Sequence, residues 1–223
     1  MQTRRSWLIG TAVAGVVIYA LMWLGYAQNW IWLTRGDAWA LQPMHRLGVA
    51  HTGWVSAWNI FCTVLGDNAF RLLALVVIVV ALIRRRIRIA IFLLITVEFS
   101  ALVTQIAKTL ADRPRPITAM VAAHGASFPS GHALGVTVAV LALLTVALPV
   151  VGASWRRWLL AVGIMTILAV GVGRVALNVH HPSDVIAGWA LGYAYFVACL
   201  LIVPPLQPGT RATEVPAAPC SAR

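Results

Sequence analysis

The chain has 223 residues, 61% of them hydrophobic and only 10% charged, with a mean hydropathy of +0.85. Soluble domains are nearer half apolar and a quarter charged, so this composition excludes a soluble globule and indicates a polytopic membrane protein. The net charge of +11 comes from 17 Lys and Arg against six Asp and Glu. Those basic residues flank apolar runs instead of forming one soluble patch, which argues for membrane topology and against nucleic acid. Cys62, Cys199 and Cys220 lie far apart, without metal or redox spacing, and imply no disulfide framework.

A spanning helix needs about 20 apolar residues. The first such run is Trp7 to Tyr26, preceded by Arg4 and Arg5. It is too long for a signal-peptide core and lacks a convincing cleavage site, so it reads as an uncleaved span. Gln28 to Gly66 is mixed and rich in Trp and His, which suits helices lying at the headgroup level. Within it, Trp54 to Leu65 is apolar enough to dip in but too short to span alone. Further spans are predicted over Asn68–Ile83, with Arg71 and Arg84 snorkelling at its ends, and over Ile89–Ala107, Ala133–Val151, Trp158–Val175 and Val185–Val203. The fold class is thus all-α: six transmembrane helices with short interfacial helices on the outer face. Residues 1–205 are expected as one membrane domain, and 206–223, rich in Pro, Ala, Thr and Ser, as a disordered cytoplasmic tail. There is no internal repeat.

Six spans put both termini on one side. Arg4, Arg5, the Arg84–Arg88 cluster, Arg156, Arg157, Arg211 and Arg223 share that side, which the positive-inside rule makes cytoplasmic. The opposite side then receives two connections that hold most of the polar chemistry: "KTLADRPRP" (Lys108–Pro116), running on to "FPSGH", and "GRVALNVHHPSD" (Gly173–Asp184). This set suits a phosphate group. Arg115 and Arg174 offer planar forks, and Lys108 adds a point charge. Ser130 is placed as the N-cap of the fourth span, and Gly131 leaves free N–H groups at a positive helix end. His180 and Asp184, four residues apart, can meet at the mouth of a helix starting near Pro182, so that the carboxylate fixes the imidazole tautomer. His132 is then available as a proton donor.

The three stretches resemble the signatures of the type-2 phosphatidic acid phosphatase family, the membrane relatives of bacterial acid phosphatases and vanadium haloperoxidases. Lys108, Arg115 and Pro116 fit the first signature, Pro129 to His132 the second, and Arg174, His180 and Asp184 the third. Gly173 departs from the pattern, which has serine before the arginine. The resemblance implies that His180 attacks phosphorus to form a phosphohistidine, that Asp184 orients it, and that His132 protonates the leaving alcohol. Lys108, Arg115, Ser130, the Gly131 amide and Arg174 would hold the phosphoryl oxygens. It implies no cofactor and no metal, and no acidic cluster able to hold magnesium is visible in the sequence.

The implied activity is a lipid phosphatase acting on a monoester or diphosphate of the polyprenyl diphosphate, phosphatidate or phosphatidylglycerophosphate type. It would work at the outer face of a bacterial cytoplasmic membrane, with membrane lipids as its partners. The alternatives are a lipid-linked phosphotransferase with the same site, and a non-catalytic headgroup binder or transporter. Taken singly, Lys108 and Arg115 read as membrane-flank charges, Ser130 as a plain cap and His132 as an interfacial histidine; their joint spacing favours a site. His181 is expected to line the site or sit at the interface, and His124 to lie near a headgroup. Asp112 and Arg113 are expected to pair with each other or with neighbours and shape the loop. Glu98, mid-span, is expected to face the bundle with Ser100, Thr104 or Gln105, about 15 Å below the site at the helical rise.

Overall fold

The computed structural model describes residues 2–205, and the predicted tail, 206–223, lies outside the described residues. The described residues form helices and no strand, as expected for an all-α chain: α1 (Gln2–Ala27), α2 (Ile31–Ala50), α3 (Thr52–Val64), α4 (Asp67–Ile83), α5 (Ile87–Leu93), α6 (Ser100–Ala111), α7 (Gly131–Ala147), α8 (Ala153–Ala176) and α9 (Pro182–Ile202), with a π-helical turn at Leu94–Glu98. Five stretches are long and apolar enough to cross a membrane, namely Arg5–Ala27, Thr52–Ile83, Ile87–Ala111, Ala153–Ala176 and Pro182–Ile202. The sixth, α7, has 17 residues. It stops at Ala147, short of the expected Val151, because Pro149 has no N–H with which to continue the helical ladder, although Leu148 before it still has helical backbone. α3 is separated from α4 by a break at Leu65–Gly66, where Gly66 has extended backbone, and the two together make one 32-residue apolar stretch.

α7 lies at the centre, packed by α9, α8 and α4. Ala133 through Val140 are all buried, as the lack of any polar face on this helix demands. Outer helices show the reverse of a soluble pattern. Leu72, Val76 and Ile83 on α4 and Val162, Ile164 and Met165 on α8 are exposed, which suits a lipid surround. α1 packs chiefly along α9, where Gly15 lets the helices close onto the Ala190 carbonyl.

Asn and charged residues end several helices where the backbone turns left-handed. Asn29, Arg85 and Asn178 have φ of 53°, 55° and 53°. At each, the following N–H reaches back to a carbonyl in the last turn: Trp30 to Gly25, Arg86 to Ala81 and Val179 to Arg174. The α8 turn matters most, because it delivers His180 directly after the reversal. Asn178 anchors it by donating from Nδ2 to the Leu41 carbonyl (3.2 Å) and to Thr118 Oγ1 (3.0 Å).

A second polar set crosses the bundle below this end. Arg71 does not snorkel as predicted. Its Nε donates to Asp67 Oδ2 (2.8 Å), its Nη2 to Ser100 Oγ (3.0 Å) and its Nη1 to the Glu98 carbonyl (3.1 Å). The π turn explains the last bond. Leu102 N–H bonds Phe99, leaving the Glu98 carbonyl for the guanidinium. Glu98 Oε2 lies 3.7 Å from Arg71 Nη1, so its charged partner comes from α4 and not from its own helix.

Close approach of α9 to α7 joins the two polar connections. A Cβ on Gly188 would lie 2.7 Å from the Ser130 carbonyl and 3.2 Å from Leu134 N, and Ser130 N–H donates to the Asp184 carbonyl at 2.9 Å just above. Gly188→Val should therefore destabilise the protein by about 1–3 kcal/mol through overpacking, read as a lower melting temperature in detergent. Gly10→Ala, where the space is open, should change it little.

Candidate active site

The ends of α6, α7, α8 and α9 bring both polar connections together. His180 follows the α8 turn and is only 1% exposed. Its Nε2 faces Arg115 Nη1 at 3.2 Å, and its Nδ1 faces Asp184 Oδ2 at 3.6 Å. The latter distance is just beyond a hydrogen bond. Burial pushes His180 well down, from the usual 6.5 to about 4; the Asp184 carboxylate opposes this, while the Arg174 and Arg115 charges add to it. The imidazole is therefore neutral across ordinary pH, with a lone pair available on one ring nitrogen.

Arg115 is stretched over the site by the loop. Its Nε and Nη2 donate to the Gly125 and His124 carbonyls (3.1 and 2.9 Å), and its Nη1 donates to the Val179 carbonyl (2.8 Å). His124 thus contributes its backbone. Lys108 Nζ donates to the Ala126 carbonyl (2.5 Å). A Cβ on Gly131 would sit 3.8 Å from Lys108 Cε, so the α7 N-terminus and this ammonium are neighbours. Arg174 is 8% exposed, and its Nε has no hydrogen-bond partner among the described residues. A buried cation left short of an acceptor is costly unless an anion joins it.

Ser130 is the N-cap of α7, as the sequence predicts. Its Oγ accepts from Ala133 N–H at 3.4 Å, so the hydroxyl is engaged in capping. His132 lies one residue further on, its ring against the α3–α4 bend. A Cβ on Gly66 would be 3.3 Å from His132 Cδ2 and 3.4 Å from Nε2.

Asp184 is fully buried and far more constrained than the sequence suggests. Oδ1 accepts from Arg113 Nη1 (2.6 Å). Oδ2 accepts from His181 N–H (2.8 Å), lies 3.2 Å from His181 Nδ1, and receives a very short bond from Ser127 Oγ. His181 is thus the N-cap of α9, with Asp184 as the third helical residue closing the capping box and Pro182 in the first turn. Arg113 does not pair with Asp112, which instead ends α6 in the left-handed conformation at φ 40°. Its partners are Asp184 and Asp37 of α2. Asp37 escaped the sequence reading altogether. The available signal was one acid in a Trp-rich helix of a chain with six acids in total.

Gly173 has a steric explanation. A Cβ there would lie 2.5 Å from Cys62 Sγ and 2.8 Å from Trp58 Cε3, because α3 packs directly on α8. The bulk of α3 occupies the place where the related pattern carries a serine.

A membrane helical bundle with cations, two histidines and a caged carboxylate at one end defines a class, the membrane-embedded phosphate-ester hydrolases. Residues 87–208 match the PAP2 superfamily, and the chain belongs to it. A lipid A 1-phosphatase from Rhizobium johnstonii is 32% identical over 192 residues, covering 75% of this chain and 71% of that protein. An undecaprenyl-diphosphatase from Sulfolobus acidocaldarius is 41% identical over 66 residues, which is 30% of this chain and spans only 28% of that protein's length. The crystal structure of the transmembrane PAP2-type phosphatidylglycerolphosphate phosphatase from Bacillus subtilis superposes with a TM-score of 0.72 at 18% identity, covering 86% of this chain and 95% of that one. That likeness establishes the fold.

Two outcomes follow. Gly173→Ser should cost about 1–3 kcal/mol by overpacking, and adding Cys62→Ala should recover part of the lost melting temperature; an unchanged melting point for the single variant would contradict the steric account. In protein with isotope-labelled histidine, the imidazole resonance missing from His180→Gln should titrate near pH 4, as burial dictates, and not near 6.5.

Proposed function

We propose that the chain hydrolyses a lipid phosphate monoester or diphosphate, of the polyprenyl diphosphate, phosphatidate, phosphatidylglycerophosphate or lipid A type, through a phosphohistidine. The observation that carries this reading is a buried His180 in contact with Arg115 at 3.2 Å and within the field of Arg174, whose buried Nε lacks a partner among the described residues. A phosphoryl group placed against His180 Nε2 meets both guanidinium groups. Its negative charge supplies the acceptors that Arg174 lacks, and Lys108 and the α7 N-terminus add positive potential.

In the first step His180 Nε2 forms the N–P bond while the P–O bond to the lipid breaks. His132 gives its proton to the departing oxygen, and the lipid alcohol or lower phosphate leaves. In the second step water attacks phosphorus, His132 takes back a proton, and the N–P bond breaks to release phosphate and restore His180. Asp184, on the Nδ1 side, stabilises the positive charge that His180 carries in the intermediate. This account places the catalytic domain over residues 1–205.

Location follows the charges. The bundle end bearing Arg84–Arg88, Arg156 and Arg157 faces the cytoplasm, together with both termini, and the site faces the other side of the cytoplasmic membrane. An apolar groove of about 260 Å³ runs between α2, α8 and α9, lined by Met44, Val172, Val175, Val185 and Trp189 and reaching Pro182 at the level of the site. It supports a substrate whose tail stays in hydrocarbon while its phosphate enters at the headgroup level.

Purified protein in detergent with EDTA should release phosphate from at least one of polyprenyl diphosphate, phosphatidate, phosphatidylglycerophosphate and a lipid A-type substrate. His180→Ala should lower that rate by at least about 1,000-fold, as loss of a nucleophile does. Full activity in His180→Ala would exclude the mechanism. The same assay with an added acceptor alcohol separates hydrolysis from phosphotransfer by its products.

A further inference from the structure

The carboxylate behind His180 belongs to a larger buried assembly that reaches α2. Arg113 is the bridge. Its Nη1 donates to Asp184 Oδ1 (2.6 Å) and to Ser183 Oγ (2.7 Å), and its Nη2 donates to Asp37 Oδ2 (2.8 Å). Asp37 is 4% exposed. It also accepts from Ser183 Oγ (2.7 Å) and, through Oδ1, from Ser183 N–H (3.0 Å). The Tyr26 ring closes one face, with its centroid 4.7 Å from the guanidinium carbon. Both Nη atoms of Arg113 and both oxygens of Asp37 and Asp184 have partners, and the set contains two acids for one base.

Of the bonds to the Asp184 carboxylate, capping α9 needs only the one from His181 N–H. The additional partners do something else: they fix the plane of the carboxylate. With Oδ1 held by Arg113, Oδ2 is presented toward His180 Nδ1. Asp37 also divides the pull of Arg113. If Arg113 faced Asp184 alone, the two would form a simple one-to-one pair, and less of the carboxylate's charge would reach His180 as it becomes cationic. We propose that Asp37 and Arg113 are positioning residues of the active site, with Asp37 of α2 holding the Arg113 guanidinium so that Asp184 keeps its orientation and charge toward His180. The inference rests on the reading of His180 as the nucleophile.

The test uses the full chain in detergent, mixed in single turnover with radiolabelled phosphatidate, phosphatidylglycerophosphate or polyprenyl diphosphate and quenched in alkaline detergent to preserve phosphohistidine. Both the fraction of protein labelled and the labelling rate are recorded. Asp37→Asn should label to the same fraction but about 10-fold more slowly, the usual scale for a partner one shell behind a working group. Asp184→Asn should be slower still, and the double variant no slower than Asp184→Asn, since Asp37 acts through Asp184. Arg113→Lys, which keeps the charge but cannot hold both carboxylates in one plane, should resemble Asp37→Asn and decides the matter if that variant fails to fold.

Labelling of Asp37→Asn at the wild-type rate would overturn the proposal. So would effects that multiply in the double variant, or a reduced labelled fraction at an unchanged rate, which is the mark of packing alone. A wild-type chain that forms no phosphohistidine with any of these three probes or with a radiolabelled lipid A-type substrate defeats the underlying reading and this inference with it. That outcome is distinct from a labelled wild type beside a fully active Asp37→Asn.

Discussion

A carboxylate with no exposure to solvent, at the end of a hydrophobic bundle, has to be neutralised by its surroundings. Asp184 meets that requirement with groups from two separate stretches: Arg113 and Ser127 in the long loop after α6, and His181 at its own helix start. Much of the local architecture follows from this. The loop is drawn across the end of the bundle, α9 is capped, and Arg113 in turn needs Asp37, which ties down α2. The site is therefore positioned by charge compensation in a place where water is scarce, as much as by helix packing.

The opposite sign dominates on the other side of His180. Arg115 and Arg174 crowd toward it, and both nitrogen atoms of the ring are thereby assigned different neighbours, carboxylate at Nδ1 and guanidinium at Nε2. Cations on the Nε2 side and the anion on the Nδ1 side are the arrangement that the proposed attack on a phosphoryl group calls for. Burial favours the neutral imidazole, as the proposed role of nucleophile requires.

Much of this was legible in the sequence because it is local. Apolar runs of membrane length located the spans, Ser130 before a helical run announced a cap, and Asp184 four residues after His180 put the two at one helix mouth. Distant pairings were not legible. Asp37 and Arg113 are separated by 76 positions, and no periodicity links them. Arg71 reads as a span-end residue, but the π turn in front of α6 frees a backbone carbonyl that draws it inward. Gly173 reads as a missing serine, while its cause, the Cys62 and Trp58 side chains of α3, becomes visible only when α3 is packed on α8. In each case a polar or steric demand is met from a different helix, and such demands have no signature in a single stretch of sequence.

The central claim is that His180 carries the phosphoryl group. The most direct measurement is peptide mapping by mass spectrometry of protein quenched during turnover under alkaline conditions, with the acid lability of the modification checked in parallel. The account predicts a single acid-labile phosphate on the peptide containing His180, assigned to that residue and absent from His180→Gln. Phosphate on His132 or His181 instead, or steady phosphate release with no phosphorylated histidine at any point in turnover, would contradict it.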